Sequence, residues 1–173
     1  ALMALTAGTV SADISYVDYQ VLNRTVDRNE TETYQHNLSN AVPAINVSDP
    51  LIVLNDDVKL ELNFSDTSYE KWTWIIWPVW GVYTTMDNLA QIGADGVSLY
   101  SGTAAGADEY EFDINVLLLA DGLLNVSVKN TTTRDGGAGD SFYWVSSTLS
   151  GSYQVVPVPG AVLLGMLGLS VAG

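Results

Sequence analysis

The heptapeptide "VKLELNF", Val58 to Phe64, alternates apolar and polar residues without a break. Val58, Leu60, Leu62 and Phe64 share one face of an extended chain, and Lys59, Glu61 and Asn63 share the other. Successive side chains leave a pleated backbone on opposite sides, so this period marks a strand with one buried and one wet face. "EYEFDINV" (Glu109 to Val116) repeats it with Tyr110, Phe112, Ile114 and Val116 inward, and "LLNVSVK" (Leu123 to Lys129) repeats it through Leu124, Val126 and Val128. Further strands are expected around Ile14 to Leu22, Leu51 to Leu54, Lys71 to Tyr83, Gly96 to Tyr100 and Ser141 to Tyr153. Gly, Asp and Asn gather between them, as in "ADG" (120 to 122) and "RDGGAGD" (134 to 140), which is turn chemistry. No stretch of the central region sustains a helical period. Short strands with one wet face each predict an all-β fold: a single antiparallel β-sandwich, jelly-roll-like, rather than a barrel.

The chain has 173 residues, enough for one domain with a sizeable core. Six Lys and Arg against 20 Asp and Glu give a net charge of −14. Such a surface repels phosphates, which argues against nucleic acid as a partner. Charged residues are only 15% of the total, and Ser, Thr, Asn and Gly supply much of the remaining polarity, a mixture common in exported proteins. There is no cysteine, so disulfides, thiolate metal sites and a Cys nucleophile are excluded and stability must rest on the core.

Both ends read as processing segments. "ALMALTAGTVSA", residues 1–12, is a small-residue and apolar run ending Val10-Ser11-Ala12, the residue types a signal peptidase prefers before its cut. Cleavage is expected between Ala12 and Asp13, making 1–12 a signal-peptide remnant and 13–155 the β-sandwich domain. Residues 156–173, "VPVPGAVLLGMLGLSVAG", carry an uncharged apolar run from Gly160 to Gly173, set off by two prolines. A spanning helix needs about 20 such residues. A few more apolar residues and a basic cluster after Gly173 would complete a single-pass anchor, with Ala161 and Gly165 as a small-residue face for close helix packing.

Val156, Pro157, Val158, Pro159 and Gly160, followed by "AVLLGMLGLSVAG", resemble the PEP-CTERM sorting signal of exported Gram-negative proteins in its Val-Pro-x-Pro-Gly variant. Val158 stands where the family's usual Glu would be, and the family's Arg-rich cluster would lie beyond Gly173. The resemblance implies a C-terminal apolar helix, transient insertion into the inner membrane, processing by an exosortase-type protease, and a place on the cell surface or in an extracellular, biofilm-type matrix. The run "DGVSLYSG", "YEFDINVLLLADGLLNVSV", "GDSFYWVSSTLSGSY" also resembles the end of the β-sandwich domains that commonly precede this signal.

Seven of the asparagines head Asn-x-Ser/Thr sequons: Asn23, Asn29, Asn37, Asn46, Asn63, Asn125 and Asn130. They are candidate N-glycosylation sites of a surface glycoprotein, or incidental products of a composition rich in Asn, Ser and Thr. Asn63 with Ser65, and Asn125 with Ser127, fall on the expected outward faces.

"KWTWIIWPVWGVY" concentrates Trp72, Trp74, Trp77 and Trp80 around Pro78. A proline at that point favours an edge or a bulge. Indole offers a flat apolar face and an N–H donor together, so these four residues are candidate carbohydrate-binding positions. Filling the core or forming a partner-protein patch are the other readings of the same residues.

Asp56-Asp57, Asp108-Glu109, and Asp135 with Asp140 sit at expected turns, where flexible oxygen ligands suit weak Ca²⁺ binding. None forms a spaced calcium loop, and no other cofactor is expected. Catalysis has little to draw on. His36 is the one histidine and is expected to be exposed in a polar stretch, while Ser98 in "GVSLY" lacks the second glycine of a nucleophile elbow. The expected function is that of a non-catalytic exported cell-surface or extracellular-matrix protein contacting exopolysaccharide. The alternative is a self-associating structural subunit of a surface filament or sheath.

Overall fold

The computed structural model describes residues 12–76, 80–104, 109–132 and 141–156. The alternation in "VKLELNF" sets the orientation of one strand: Leu60, Leu62 and Phe64 are buried, Lys59 is exposed, and Val58 is buried just before the strand begins. In chain order the strands are β1 (Ile14–Val26), β2 (Thr31–Asn37), β3 (Ile52–Leu54), β4 (Lys59–Ser65), β5 (Ser68–Ile76) and β6 (Trp80–Asp87). There follow β7 (Leu89–Ala94), β8 (Val97–Thr103), β9 (Glu109–Asp113), β10 (Leu123–Asn130) and β11 (Phe142–Val155). Short 3₁₀ turns at Leu38–Asn40 and Val116–Leu119 are the helical elements among the described residues. No helix there is long and apolar enough to cross a membrane.

The protein is mostly β, with two large antiparallel sheets. One runs β1-β11-β4-β9, with β3 also pairing with β11; the other runs β2-β10-β7-β8. The long β11 organises the first sheet, holding β1 along one edge and β4 and β3 along the other. Tyr16, Leu60, Leu62, Phe64, Phe142, Trp144 and Leu149 from the first sheet join Ile92, Leu124, Val126 and Val128 from the second in one buried cluster. Each such side chain contributes about 1.5–3 kcal/mol by leaving water, and in a chain without cysteine this burial supplies the main stabilisation. Among the described residues β5 and β6 pair only with each other, as a two-stranded sheet of their own.

Several elements depart from the sequence expectation. Lys71 to Tyr83 is not one strand but a hairpin in which Ile76 pairs with Trp80. Thr31–Asn37 and Leu89–Ala94 are strands that the pattern did not announce, the first because its inward positions are Tyr34 and His36, the second because they are Ala90, Ile92 and Ala94. The segment after Glu109 keeps its parity but stops being a strand at Asp113, where Asn115 Oδ1 accepts the Leu117 N–H and starts a 3₁₀ turn. "ADG" is a turn, with Gly122 at φ 80°. "RDGGAGD" and the expected C-terminal helix fall outside the described residues, as do residues 1–11 of the expected signal-peptide remnant.

Candidate functional site

His36 corrects the sequence reading: it is 0% exposed, not on a wet face. Its strand, β2, runs in the second sheet, yet His36 Nδ1 lies 2.9 Å from Asp18 Oδ2 and Nε2 lies 2.7 Å from Ser147 Oγ, both on strands of the first sheet. Asp18 Oδ1 accepts from Gln20 Nε2 (2.7 Å), and Oδ2 also accepts the Asn37 backbone N–H (3.2 Å). The Tyr34 ring meets His36 edge-on at 5.1 Å. Burial pushes the imidazole below its ordinary pKa, opposed by the Asp18 hydrogen bond and charge. The carboxylate only accepts, so the neutral imidazole donates from Nδ1 to Asp18 and accepts the Ser147 hydroxyl at Nε2.

This is the connectivity of a Ser-His-Asp relay. Catalysis also needs a nucleophile that a substrate carbonyl can approach, and Ser147 is 0% exposed. What the array does in this fold is satisfy three buried polar side chains and tie β2 of one sheet to β1 and β11 of the other.

The accessible chemistry lies on the outward face of the second sheet. Register places Thr31, Lys129, Gln91 and Ser101 side by side in one cross-strand row, and Thr33, Ser127, Gly93 and Ser98 in the next. Gln35 and Asn125 follow, with Gln35 Nε2 donating to Asn125 Oδ1 (2.8 Å) and Asn125 Nδ2 to Asp95 Oδ1 (2.8 Å). β7 turns into β8 through Asp95 and Gly96, both at positive φ (45° and 79°), as a two-residue hairpin of this type requires. Gly93 is held close to its neighbours: an added Cβ would lie 3.1 Å from both Ser127 Oγ and the Val97 carbonyl oxygen. The missing side chain leaves an open groove of about 200 Å³, walled by Thr31, Gln91, Val97, Ser98, Ser127 and Lys129.

Trp72 and Trp74 lie on β5 and Trp80 on β6, with Trp72 opposite Tyr83 and Trp74 opposite Gly81. Trp77 lies outside the described residues. Asn23, Asn29, Asn46 and Asn125 are exposed, and Asn37 and Asn63 are half-buried. Asn130 corrects the sequence expectation. It is buried, its Nδ2 donates to the Val26 carbonyl (3.2 Å) and its Oδ1 accepts the Thr132 N–H (3.0 Å), so this fold has no room for a glycan there.

Val156 is exposed and its N–H reaches the Leu51 carbonyl at 2.7 Å, while Pro157, Val158, Pro159 and Gly160 lie outside the described residues. Asp57 is committed to Ser152, accepting its N–H (2.9 Å) and its hydroxyl (2.8 Å). Among the described residues no three His, Asp or Glu side chains converge to hold a metal ion; Asp108, Asp135 and Asp140 are not among those residues. Ser98, weighed as a nucleophile, sits exposed on β8 in the groove wall. Sequence reasoning missed both the groove and the buried array, because each depends on register between strands distant in sequence. Neither a protein-family model nor a curated protein sequence matches the chain.

Proposed function

We propose that the chain is a non-catalytic exported protein of the cell surface or extracellular matrix that contacts exopolysaccharide. Its body is one antiparallel β-sandwich of jelly-roll type, a reading supported by the single buried cluster that draws on both large sheets. Residues 1–12 are the remnant of its signal peptide. Residues 156–173 are its PEP-CTERM-like segment, an apolar helix that enters the inner membrane transiently and is cut by an exosortase-type protease. Both assignments rest on residue pattern and resemblance. The burial of His36 and Ser147 supports the non-catalytic reading. Weak Ca²⁺ binding at the turn carboxylates would offset part of the −14 charge.

The observation that carries the polysaccharide reading is the placement of the tryptophan-rich segment. Trp72, Trp74 and Trp80 belong to a hairpin that, among the described residues, shares no hydrogen-bonded ladder with either large sheet. A two-stranded hairpin is marginal alone, and an indole face is an effective stacking surface for a sugar ring. A glycan array probed with the 13–155 domain tests this: binding that disappears in Trp72→Ala and Trp74→Ala is expected, and binding to no glycan contradicts it.

A self-associating filament or sheath subunit is the second reading, favoured by one observation. Edge strand β1 presents Tyr19 (57% exposed) and Val21 (60%) on its outer face, beside Val17 and Val42. Exposed apolar side chains on a long edge strand invite pairing with another chain. Sedimentation of the intact chain against Val21→Lys distinguishes this reading, which requires polymers in the first and none in the second.

A further inference from the structure

We propose that the groove over Gly93 is a second saccharide subsite, seating one neutral pyranose ring of a polysaccharide that crosses the outward face of β2, β10, β7 and β8. The inference rests on the polysaccharide reading above but uses none of its tryptophans. Three observations carry it.

The first is the chemistry of the walls. A pyranose is amphipathic, with hydroxyls around its rim and C–H groups on its faces. The groove matches this: Thr31, Ser98 and Ser127 offer hydroxyls, Gln91 an amide and Lys129 an ammonium, while Val97 and the Cα methylene of Gly93 offer apolar wall and floor. Thr31, Ser98 and Gln91 can each donate and accept, Lys129 can donate, and Ser127, whose hydroxyl donates to the Gly93 carbonyl (3.4 Å), keeps its lone pairs to accept, which suits a ligand whose every hydroxyl does both. The Lys129 head has no ion pair among the described residues.

The second is size. About 200 Å³ falls below the roughly 300–1,000 Å³ of pockets that enclose drug-sized ligands. One ring fills it, and the rest of a chain runs along the open, wholly polar rows on either side. The third is charge. A protein at −14 repels a polyanion at long range, and exposed Asp95 stands at the end of the same face, so a neutral sugar is favoured over a uronate despite Lys129.

The test is amide chemical-shift mapping on ¹⁵N-labelled protein titrated with cellotetraose, maltotetraose and β-1,4-mannotetraose, with glycerol as the hydroxyl control. The intact chain, the Trp72→Ala/Trp74→Ala double variant and the Lys129→Ala/Gln91→Ala double variant are compared. Lys129 and Gln91 are exposed, so their loss leaves the core and the melting temperature unchanged. Saturable shifts at Gly93, Gly96, Ser98 and Ser127 are expected with at least one tetrasaccharide. They should persist in the tryptophan variant and weaken about tenfold or more in affinity in the groove variant, the consequence of losing two or more hydrogen bonds. Shifts confined to the hairpin overturn the subsite and leave the polysaccharide reading standing. Equal shifts with glycerol overturn the subsite as well, and the absence of any shift with all three tetrasaccharides overturns both.

Discussion

His36 Nδ1 and Asp18 Oδ2 lie 2.9 Å apart and join the two large sheets through the core. Because burial holds the imidazole below its ordinary pKa, the unfolded chain takes up a proton before the folded one does. The stability tied to this residue is therefore complete above about pH 6.5, the unfolded value, and is lost as pH falls towards the folded value. Urea unfolding at about pH 7.5 and about pH 5.5 should give a lower midpoint in acid, and His36→Gln should remove most of that difference. A wild-type midpoint that does not fall relative to the variant contradicts the account.

Ser147→Ala deletes the hydroxyl that satisfies His36 Nε2 and leaves a buried acceptor unpaired. The expected cost is about 1–3 kcal/mol in denaturant unfolding. The same variant separates the structural role from a chemical one, since hydrolysis of an activated ester by wild type should not exceed that by Ser147→Ala.

The Tyr16 hydroxyl is buried against Gly151 with no hydrogen-bond partner among the described residues, and burial together with the Asp57 charge pushes its pKa up to about 12. Tyr16→Phe keeps the ring and removes the unpaired group. A gain of about 1 kcal/mol is expected in thermal or urea unfolding. A loss of that size would show that the hydroxyl has a partner, such as a buried water.

The seven sequons are not equivalent in the fold. Expressed in a host that N-glycosylates, the chain should carry glycan at Asn23, Asn29 and Asn46, which are exposed, and none at Asn130, whose amide bonds Val26 and Thr132. Peptide mapping by mass spectrometry reads the occupancy site by site. Glycan on Asn130 in folded protein contradicts the placement of β10 against β1.

Strands whose inward positions are large and apolar were legible in the sequence, as at Leu60, Leu62 and Phe64 or Leu124, Val126 and Val128, because burial alone writes the period. β2 was not, since its inward His36 owes its burial to Asp18 and Ser147, residues 18 and 111 positions away. β7 hid behind small residues, Ala90 and Ala94, which carry little hydropathic signal. Of the candidate sites, the tryptophan cluster was visible as composition, whereas its division into two paired strands was not. The groove is a product of register: Gly93 faces Ser127 on one side and Ser98 on the other, a pairing that depends on how β10, β7 and β8 line up.

The central claim is that this protein holds polysaccharide without cleaving it. Affinity electrophoresis through native gels cast with neutral exopolysaccharide tests it most directly, because retardation reports binding and recovery of polymer length reports cleavage in one experiment. The account predicts retardation of the wild type that diminishes in Trp72→Ala/Trp74→Ala and again when Lys129→Ala/Gln91→Ala is added, with the polymer intact. Unretarded migration, or shortening of the polymer that Ser147→Ala abolishes, would contradict it.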